Sequence, residues 1–231
     1  MIEEPPILRI RRSFPRPTAA QIDAFRGVPT GFVCDAMNGA GSLDTRIAPV
    51  GAALTSGPIV GTALVADNGP AEILATIAAL EFIQAGDIVV AALHGYQGTS
   101  ASGDLLLGMM KNAGAAGFVT DAPMRDIEGI EEVGLPAWCT GLNPNSPYSK
   151  GPGTVGDAAA VGGQRVGSGD IIVADRNGVV VVPFDKIDAT ITALQGVKAA
   201  EADLEAKVKG GLAKLFDLDA MEAEGKIAYF D

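Results

Sequence analysis

"GDIVVAALHGYQGTSASGDLLLGMMKNAGAAGFVTDAPMRD", residues 86–126, sets two short apolar runs around one amphipathic stretch. "DIVVAAL" and "GFVT" are rich in β-branched residues and bounded by glycine, which predicts buried strands, and "DLLLGMMKNAG" between them predicts a helix closed by glycine. If the two strands are consecutive and parallel, the crossover is right-handed, and the loops that follow them emerge at the same carboxyl edge of the sheet. The Gly/Ser-rich loop "HGYQGTSASG" and the charged segment "TDAPMRD" then border one crevice.

The pattern extends in both directions. Upstream, "TAAQIDAFRG" and "TGFVCDAMNGAG" predict short helices with Thr18 and Thr30 as N-caps. "PIVGTALVA" predicts a strand, and "PAEILATIAALEFIQAG" a helix with Ile73, Ile77, Leu80 and Ile83 on its apolar face. Downstream come a helix in "IEGIEEVG" and a strand in "PAWCTG", completing a β-α-β-α-β order. Past residue 150, "IIVAD" and "VVVVP" around "RNG" predict a hairpin in which Asn177-Gly178 supplies the positive φ of a tight turn. A long amphipathic helix follows Asp185, with Ile187, Ile191, Leu194, Leu204, Val208 and Leu212 as its apolar face. GDIVV at 86–90 and GDIIV at 169–173 share a turn-into-strand device without implying a domain repeat. The expected organisation is an N-terminal arm (1–17), an α/β domain (18–184) and a C-terminal helical extension (185–231).

Composition bounds the function. The chain has 231 residues, 48% of them hydrophobic, enough to bury a large core. A net charge of -11 and a pI near 4.5 oppose binding to nucleic acid or to an anionic membrane surface. The basic cluster Arg9, Arg11, Arg12 and Arg16 lies in the proline-punctuated arm and is expected to belong to a solvated arm packing on a neighbouring subunit, its alternative being a nucleic-acid contact that the charge balance disfavours. Cys34 and Cys139 have neither disulfide-framework nor zinc-site spacing, the start "MIEEPP" is unlike a signal peptide, and charges interrupt every long apolar run. These features predict a cytoplasmic protein.

The helix start after Ser102-Gly103 offers the N–H groups of Asp104, Leu105 and Leu106 at the positive end of a helix dipole, a receptor for a carboxylate or phosphate. Gly103 leaves room for the ligand; alternatively, Asp104 caps its own helix. In an extended "MRD" segment Arg125 and Asp126 point to opposite sides, so each needs its own partner. Arg125 can grip substrate oxygens and Asp126 a hard cation, or both form surface salt bridges. His94, the chain's only histidine, is either a proton carrier or a solvated loop residue. A GxSxG elbow, a glycine-rich Rossmann turn before a helix and a Schiff-base lysine are all absent from the sequence.

At these residues the chain resembles the regulator-of-ribonuclease-activity-A-like family, which includes class II 4-hydroxy-4-methyl-2-oxoglutarate aldolases. The likeness runs from "VCDAMNG" through "GDIVV" and "ASGDLLLGMMKNAGAAGFVTDAPMRD" to "GDIIVADRNGVVVVP", most of residues 30–185. It implies a β/β/α swivelling-type α/β fold in homotrimers or hexamers with sites at subunit interfaces. It further implies pyruvate held by the backbone of Gly103, Asp104, Leu105 and Leu106, Arg125 on the substrate oxygens, and Mg²⁺ or Mn²⁺ held by Asp126 largely through water. Asp104 would orient a catalytic water, and Glu201 best matches the glutamate that relatives lend to a neighbour's site, its alternative being a solvated helix residue. The acidic residue after the arginine is one that the ribonuclease-regulator branch tends to lack. The chain departs from the family in having Asp121-Ala122 where Asp-Gly is usual, and in the loop "HGYQGTSASG". The function expected is metal-dependent cleavage of a 4-hydroxy-2-oxo acid to pyruvate, with oxaloacetate decarboxylation as a side activity. The alternative is a non-catalytic regulator that binds a ribonuclease or another protein.

Overall fold

The computed structural model describes residues 6–51 and 57–231, so the acidic first five residues of the arm lie outside it. The chain forms two compact units, Met1–Leu194 and Gln195–Asp231.

In the first unit, β1 (Leu8–Ile10) is followed by α1 (Ala19–Phe25), α2 (Thr30–Ala36) and β2 (Ala48–Val50). Three crossover units then alternate β3 (Ile59–Asp67), α3 (Leu74–Ala79), β4 (Asp87–Ala92), α4 (Asp104–Asn112), β5 (Gly117–Thr120), α5 (Ile127–Val133) and β6 (Ala137–Cys139). β7 (Gly153–Val155), a small hairpin of β8 (Ala158–Val161) and β9 (Gln164–Gly167), and a second hairpin of β10 (Ile171–Asp175) and β11 (Gly178–Val182) complete it. The main sheet runs β1-β7-β3-β4-β5-β6-β2, with β10 added antiparallel to the first half of β3. β3, β4, β5 and β6 are mutually parallel, as expected for the order of strands and helices. The fold is the mixed α/β one that the resemblance implied, with helices at its N-terminus and a long helix after Phe184.

All six residues of β4 are buried, because the strand is covered on both faces. Val89 and Ala91 pack with Leu107 and Met110 of α4 and Ile130 of α5. Ile88 and Val90 pack instead with Val161, Val166, Ile172 and Val181 of the hairpins. Burying one such side chain contributes about 1.5–3 kcal/mol, so this two-sided core fixes the strand that leads into the site.

Several local expectations are refined. Thr18 caps α1 in a capping box with Gln21, whereas Thr30 is the first residue of α2 and Pro29 is its cap. Thr30 instead donates its N–H and hydroxyl to the buried Asp175 carboxylate at 3.0 and 2.9 Å, tying α2 to the β10–β11 hairpin. α3 is only six residues long and passes into a 3-10 turn over Leu80–Phe82. Its buried face carries Ala75, Thr76 and Ala79 while Ile77 is exposed. Small residues are required there: a Cβ on Gly153 of β7 would come within 2.8 Å of the Ala75 Cβ. In the β10–β11 turn only Gly178, not Asn177, has positive φ, and the Asp175 carboxylate secures the turn by accepting Asn177 N–H at 2.7 Å.

The repeated Gly-Asp-Ile device is a shared turn. Asp87 accepts the N–H of Gln84 at 2.9 Å, and Asp170 accepts that of Gly167 at 2.7 Å, each three residues back. Asp87 also anchors the arm, since Arg16 grips both its oxygens at 2.6 and 2.9 Å. β1 pairs with β7, and Arg11 meets Asp157 at 3.2 Å. The arm expected to pack on a neighbouring subunit is thus bonded to its own chain at two of its four arginines. No helix among the described residues is long and apolar enough to cross a membrane.

The long helix α6 (Ile187–Lys209) begins in the first unit, where Ile187 and Leu194 are buried with Phe25, Val33 and Val180. In the second unit it carries Lys207–Asp203 and Lys209–Glu205 pairs one turn apart, and α7 (Leu218–Ala223) is capped by the Asp217 carboxylate. Val208 and Leu212, expected on the apolar face, are exposed.

Candidate active site

Sequence neighbours of the two strand ends meet through the backbone. Ala101 N–H donates to Pro123 C=O at 2.7 Å and Arg125 N–H to Ser102 C=O at 3.1 Å, so the loops after β4 and β5 are joined. They enclose a cleft of about 150 Å3, lined by residues 103–106, Arg125 and Asp126, with Ile73, Ser102 and Pro147 at its walls. The six residues singled out in these two stretches therefore come together.

Gly103 is the N-cap of α4, in extended conformation and with no side chain to satisfy the helix start. Asp104 follows as the first helical residue and accepts the Leu105 N–H at 2.7 Å. Of the three donors expected, that of Leu105 is thus engaged, while those of Asp104 and Leu106 have no partner among the described residues. Asp104 packs over Gly129 in α5, where any Cβ would collide with the carboxylate. The glycine at 129 is what lets Asp104 lie between the two helix starts.

Arg125 and Asp126 do not point apart. Asp126 has φ 62° and ψ 52°, a left-handed conformation that breaks the alternation of an extended strand. Its Oδ2 consequently meets Arg125 Nε at 3.2 Å, with both side chains partly exposed. Arg125 Nη1 also donates to Ser146 Oγ at 2.5 Å. A Cβ on Gly103 would lie 2.6 Å from Asp126 Oδ2 and 3.3 Å from Arg125 Cγ, so the missing side chain is what admits this pair.

Asp121, the third charge of the loop, has a different task. It is buried and accepts the N–H groups of Leu93 and Gly95 at 2.7 and 2.8 Å, holding the turn in which His94 has φ 56°. Burial pushes its carboxyl above the usual range, against the pull of those two donors. His94 pairs through Nε2 with Asp67 Oδ1 at 2.7 Å and borders two other cavities, of about 750 and 330 Å3. Glu201 belongs to the second unit, on α6, and forms no ion pair among the described residues.

The carboxylates that line the cleft are those of Asp104 and Asp126. Among the described residues no three His, Cys, Asp or Glu side chains gather as a ready ligand cluster. Asp126 has one carboxylate oxygen on Arg125 and the other without a partner among the described residues. A lone carboxylate oxygen of this kind is by its chemistry suited to a hard divalent ion and not to a soft one. Ser146, Gly129 and Pro147 were not singled out from the sequence, and Ile73 figures there only as part of a helix's apolar face. Only the sequence-remote contacts of the fold bring them to the cleft, and none belongs to a motif that would have marked it.

Residues 30–181 match the family model RraA-like, described as Aldolase/RraA. The chain belongs to the RraA-like family. A Halalkalibacterium halodurans protein provisionally named 4-hydroxy-4-methyl-2-oxoglutarate aldolase is 32% identical over 186 residues, 80% of this chain and 86% of that one. Among solved structures, Streptomyces coelicolor RraAS2, described as an unusual member of the RNase ES inhibitor RraA family, is 27% identical with a TM-score of 0.72. The alignment covers 83% of this chain and all of that one. An uncharacterised protein from Pseudomonas syringae pv. tomato shares the fold at 20% identity with a TM-score of 0.75, over 87% and 93% of the two chains. The RraA-like match spans both cleft-forming loops.

Proposed function

We propose that this RraA-like chain is a divalent-cation-dependent carbon–carbon lyase that cleaves a 4-hydroxy-2-oxo acid to pyruvate. The observation that carries the reading is the cleft itself: two N–H groups at the start of α4 without a partner among the described residues, Arg125 and the half-committed Asp126 line one space of about 150 Å3. That volume suits a pyruvyl head, with the rest of the substrate leaving through the mouth. The provisional name of the H. halodurans relative points to the same chemistry.

The N–H groups of Asp104 and Leu106 and the Arg125 guanidinium bind the oxygens of the 2-oxo acid. When the C3–C4 bond breaks, its electron pair forms the C2=C3 bond and the carbonyl π pair moves onto the C2 oxygen, while C4 leaves as a carbonyl compound; Arg125 stabilises the enolate charge that develops. A water held by Asp104 takes the C4 hydroxyl proton and returns a proton to C3. Asp126 would hold Mg²⁺ or Mn²⁺, largely through water, and the bound cation would supply further positive charge to the site. In a homotrimer or hexamer, Glu201 would be lent to a neighbouring site. Oxaloacetate decarboxylation passes through the same enolate and is expected alongside.

The test is pyruvate release from oxaloacetate and from branched 4-hydroxy-2-oxo acids, with Mg²⁺ or Mn²⁺ and then with excess chelator. Release that depends on the cation supports the reading. If no 2-oxo acid is cleaved under either condition, the reading fails, and the family's other activity, inhibition of a ribonuclease as in the description of the Streptomyces relative, becomes the one to assay.

A further inference from the structure

The Arg125–Asp126 ion pair and the proposed cation role of Asp126 compete for the same carboxylate. Arg125 has two anchors among the described residues, Asp126 Oδ2 on Nε and Ser146 Oγ on Nη1. A cation drawn to Asp126 weakens the first anchor, because both partners are positive and only one carboxylate is shared. Ser146 is then the contact that keeps the guanidinium aimed into the cleft.

Ser146 is placed to do this by a firmly stitched loop. Ser100 donates its N–H and hydroxyl to Asn145 C=O at 2.9 and 3.0 Å, and Asn145 Nδ2 donates to Gly98 C=O at 3.1 Å. Asn143 Nδ2 reaches Gln97 C=O at 2.8 Å, and Asn143 N–H meets Met124 C=O, also at 2.8 Å. The loop after β6 is thereby tied to both cleft-forming loops, and Pro147 next to Ser146 lines the cleft wall. Since Ser146 Oγ accepts from Arg125, its own O–H proton is left over and has no acceptor among the described residues.

We propose that Ser146 is the positioning residue of the 2-oxo acid site, holding Arg125 in its substrate-binding orientation once Asp126 is occupied by a cation. The inference rests on the lyase reading. It implies that Ser146 matters more to ligand binding with the cation than without it, which a merely structural hydroxyl would not show.

Oxalate, which has the shape and charge of the pyruvate enolate, is the probe. It is titrated calorimetrically into the full chain and into Ser146→Ala and Ser146→Thr, each with Mg²⁺ and with chelator, after equal melting temperatures have been checked. With Mg²⁺, Ser146→Ala should bind oxalate about tenfold more weakly, the loss of one hydrogen bond to a charged group. Ser146→Thr, which keeps the hydroxyl, should stay within about twofold of the parent, and with chelator the alanine variant should lie closer to the parent than it does with Mg²⁺. Equal affinity of parent and alanine variant in Mg²⁺ overturns the proposal, as does a threonine variant as weak as alanine. A parent that binds no oxalate even with Mg²⁺ removes the lyase reading itself and this inference with it.

Discussion

The carboxylate of Asp126 lies where a side chain on residue 103 would have to be: a Cβ there would sit 2.6 Å from Asp126 Oδ2. Two loops separated by a helix and a strand are therefore fitted to one another at atomic contact, and the glycine is a condition of the site.

Gly103→Ala should displace the Arg125–Asp126 pair. Its φ of -131° suits alanine, so the fold itself should tolerate the change. Pyruvate release should fall by at least about tenfold, roughly 1.4 kcal/mol of transition-state stabilisation, with little change in melting temperature. An active variant would show that the pair can move aside without cost to turnover.

Gly129→Ala probes Asp104 from the other side. Alanine favours a helix interior over glycine by about 1 kcal/mol, yet the added methyl collides with the Asp104 carboxylate. Activity should drop, and because the methyl also meets the Asp104 Cβ at 2.6 Å, the propensity gain should be offset and the melting temperature should not rise. A variant that is both folded and fully active would release Asp104 from any part in the chemistry.

Arg125→Lys keeps the charge and loses the planar fork that now donates to Ser146 while it pairs with Asp126. Turnover should fall about tenfold or more. Steady-state kinetics on oxaloacetate would check it, and parental kcat/KM would return Arg125 to a surface ion pair.

Asp126→Asn removes the charge that would attract a cation while keeping size and shape. Pyruvate release and its dependence on Mg²⁺ should disappear together, with the size-exclusion profile unchanged. Parallel loss of melting temperature with residual Mg²⁺-dependent turnover would instead mark Asp126 as structural.

Glu72 gives a pH dependence. It is buried, which opposes ionisation, yet it accepts four backbone N–H groups, from Ile73, Leu74, Lys150 and Gly151, at 2.8–2.9 Å. These donors outweigh the desolvation and hold its pKa below the ordinary 4.5. A depressed folded pKa contributes stability that is full above the unfolded value and is lost as pH falls through the folded one. Glu72→Gln should cost about 1–3 kcal/mol at pH 7, and the gap to the parent should narrow as the pH falls below 4.5. Urea unfolding at pH 7, 4 and 3 would measure it; a gap independent of pH would mean that the charge contributes nothing.

Glu72 also shows what could not be read in advance. It sits inside a stretch whose apolar spacing predicts one long helix, and two of its four donors come from a segment nearly eighty residues away. Glu72 precedes the helix and accepts the N–H groups of Ile73 and Leu74, the α-helical part is confined to Leu74–Ala79 before a 3-10 turn, and the close approach of Gly153 to Ala75 across α3 and β7 is a contact no local pattern encodes.

By itself the sequence determined the β-α-β-α-β order, the hairpin near the end and the convergence of the 103–106 and 125–126 segments. Those follow from local period, turn residues and the handedness of a crossover, which are properties of short stretches. Tertiary structure alone decided that Arg125 and Asp126 bond to each other, since a left-handed φ at a non-glycine residue is imposed by its surroundings. It alone separated Asp121, a buried clamp for residues 93–95, from the two charges beside it in sequence. It alone brought Ser146 to Arg125 from twenty-one residues away. Hydrogen-bond partners chosen across the fold depend on where whole strands and loops are packed, and the sequence near each residue carries no mark of that choice.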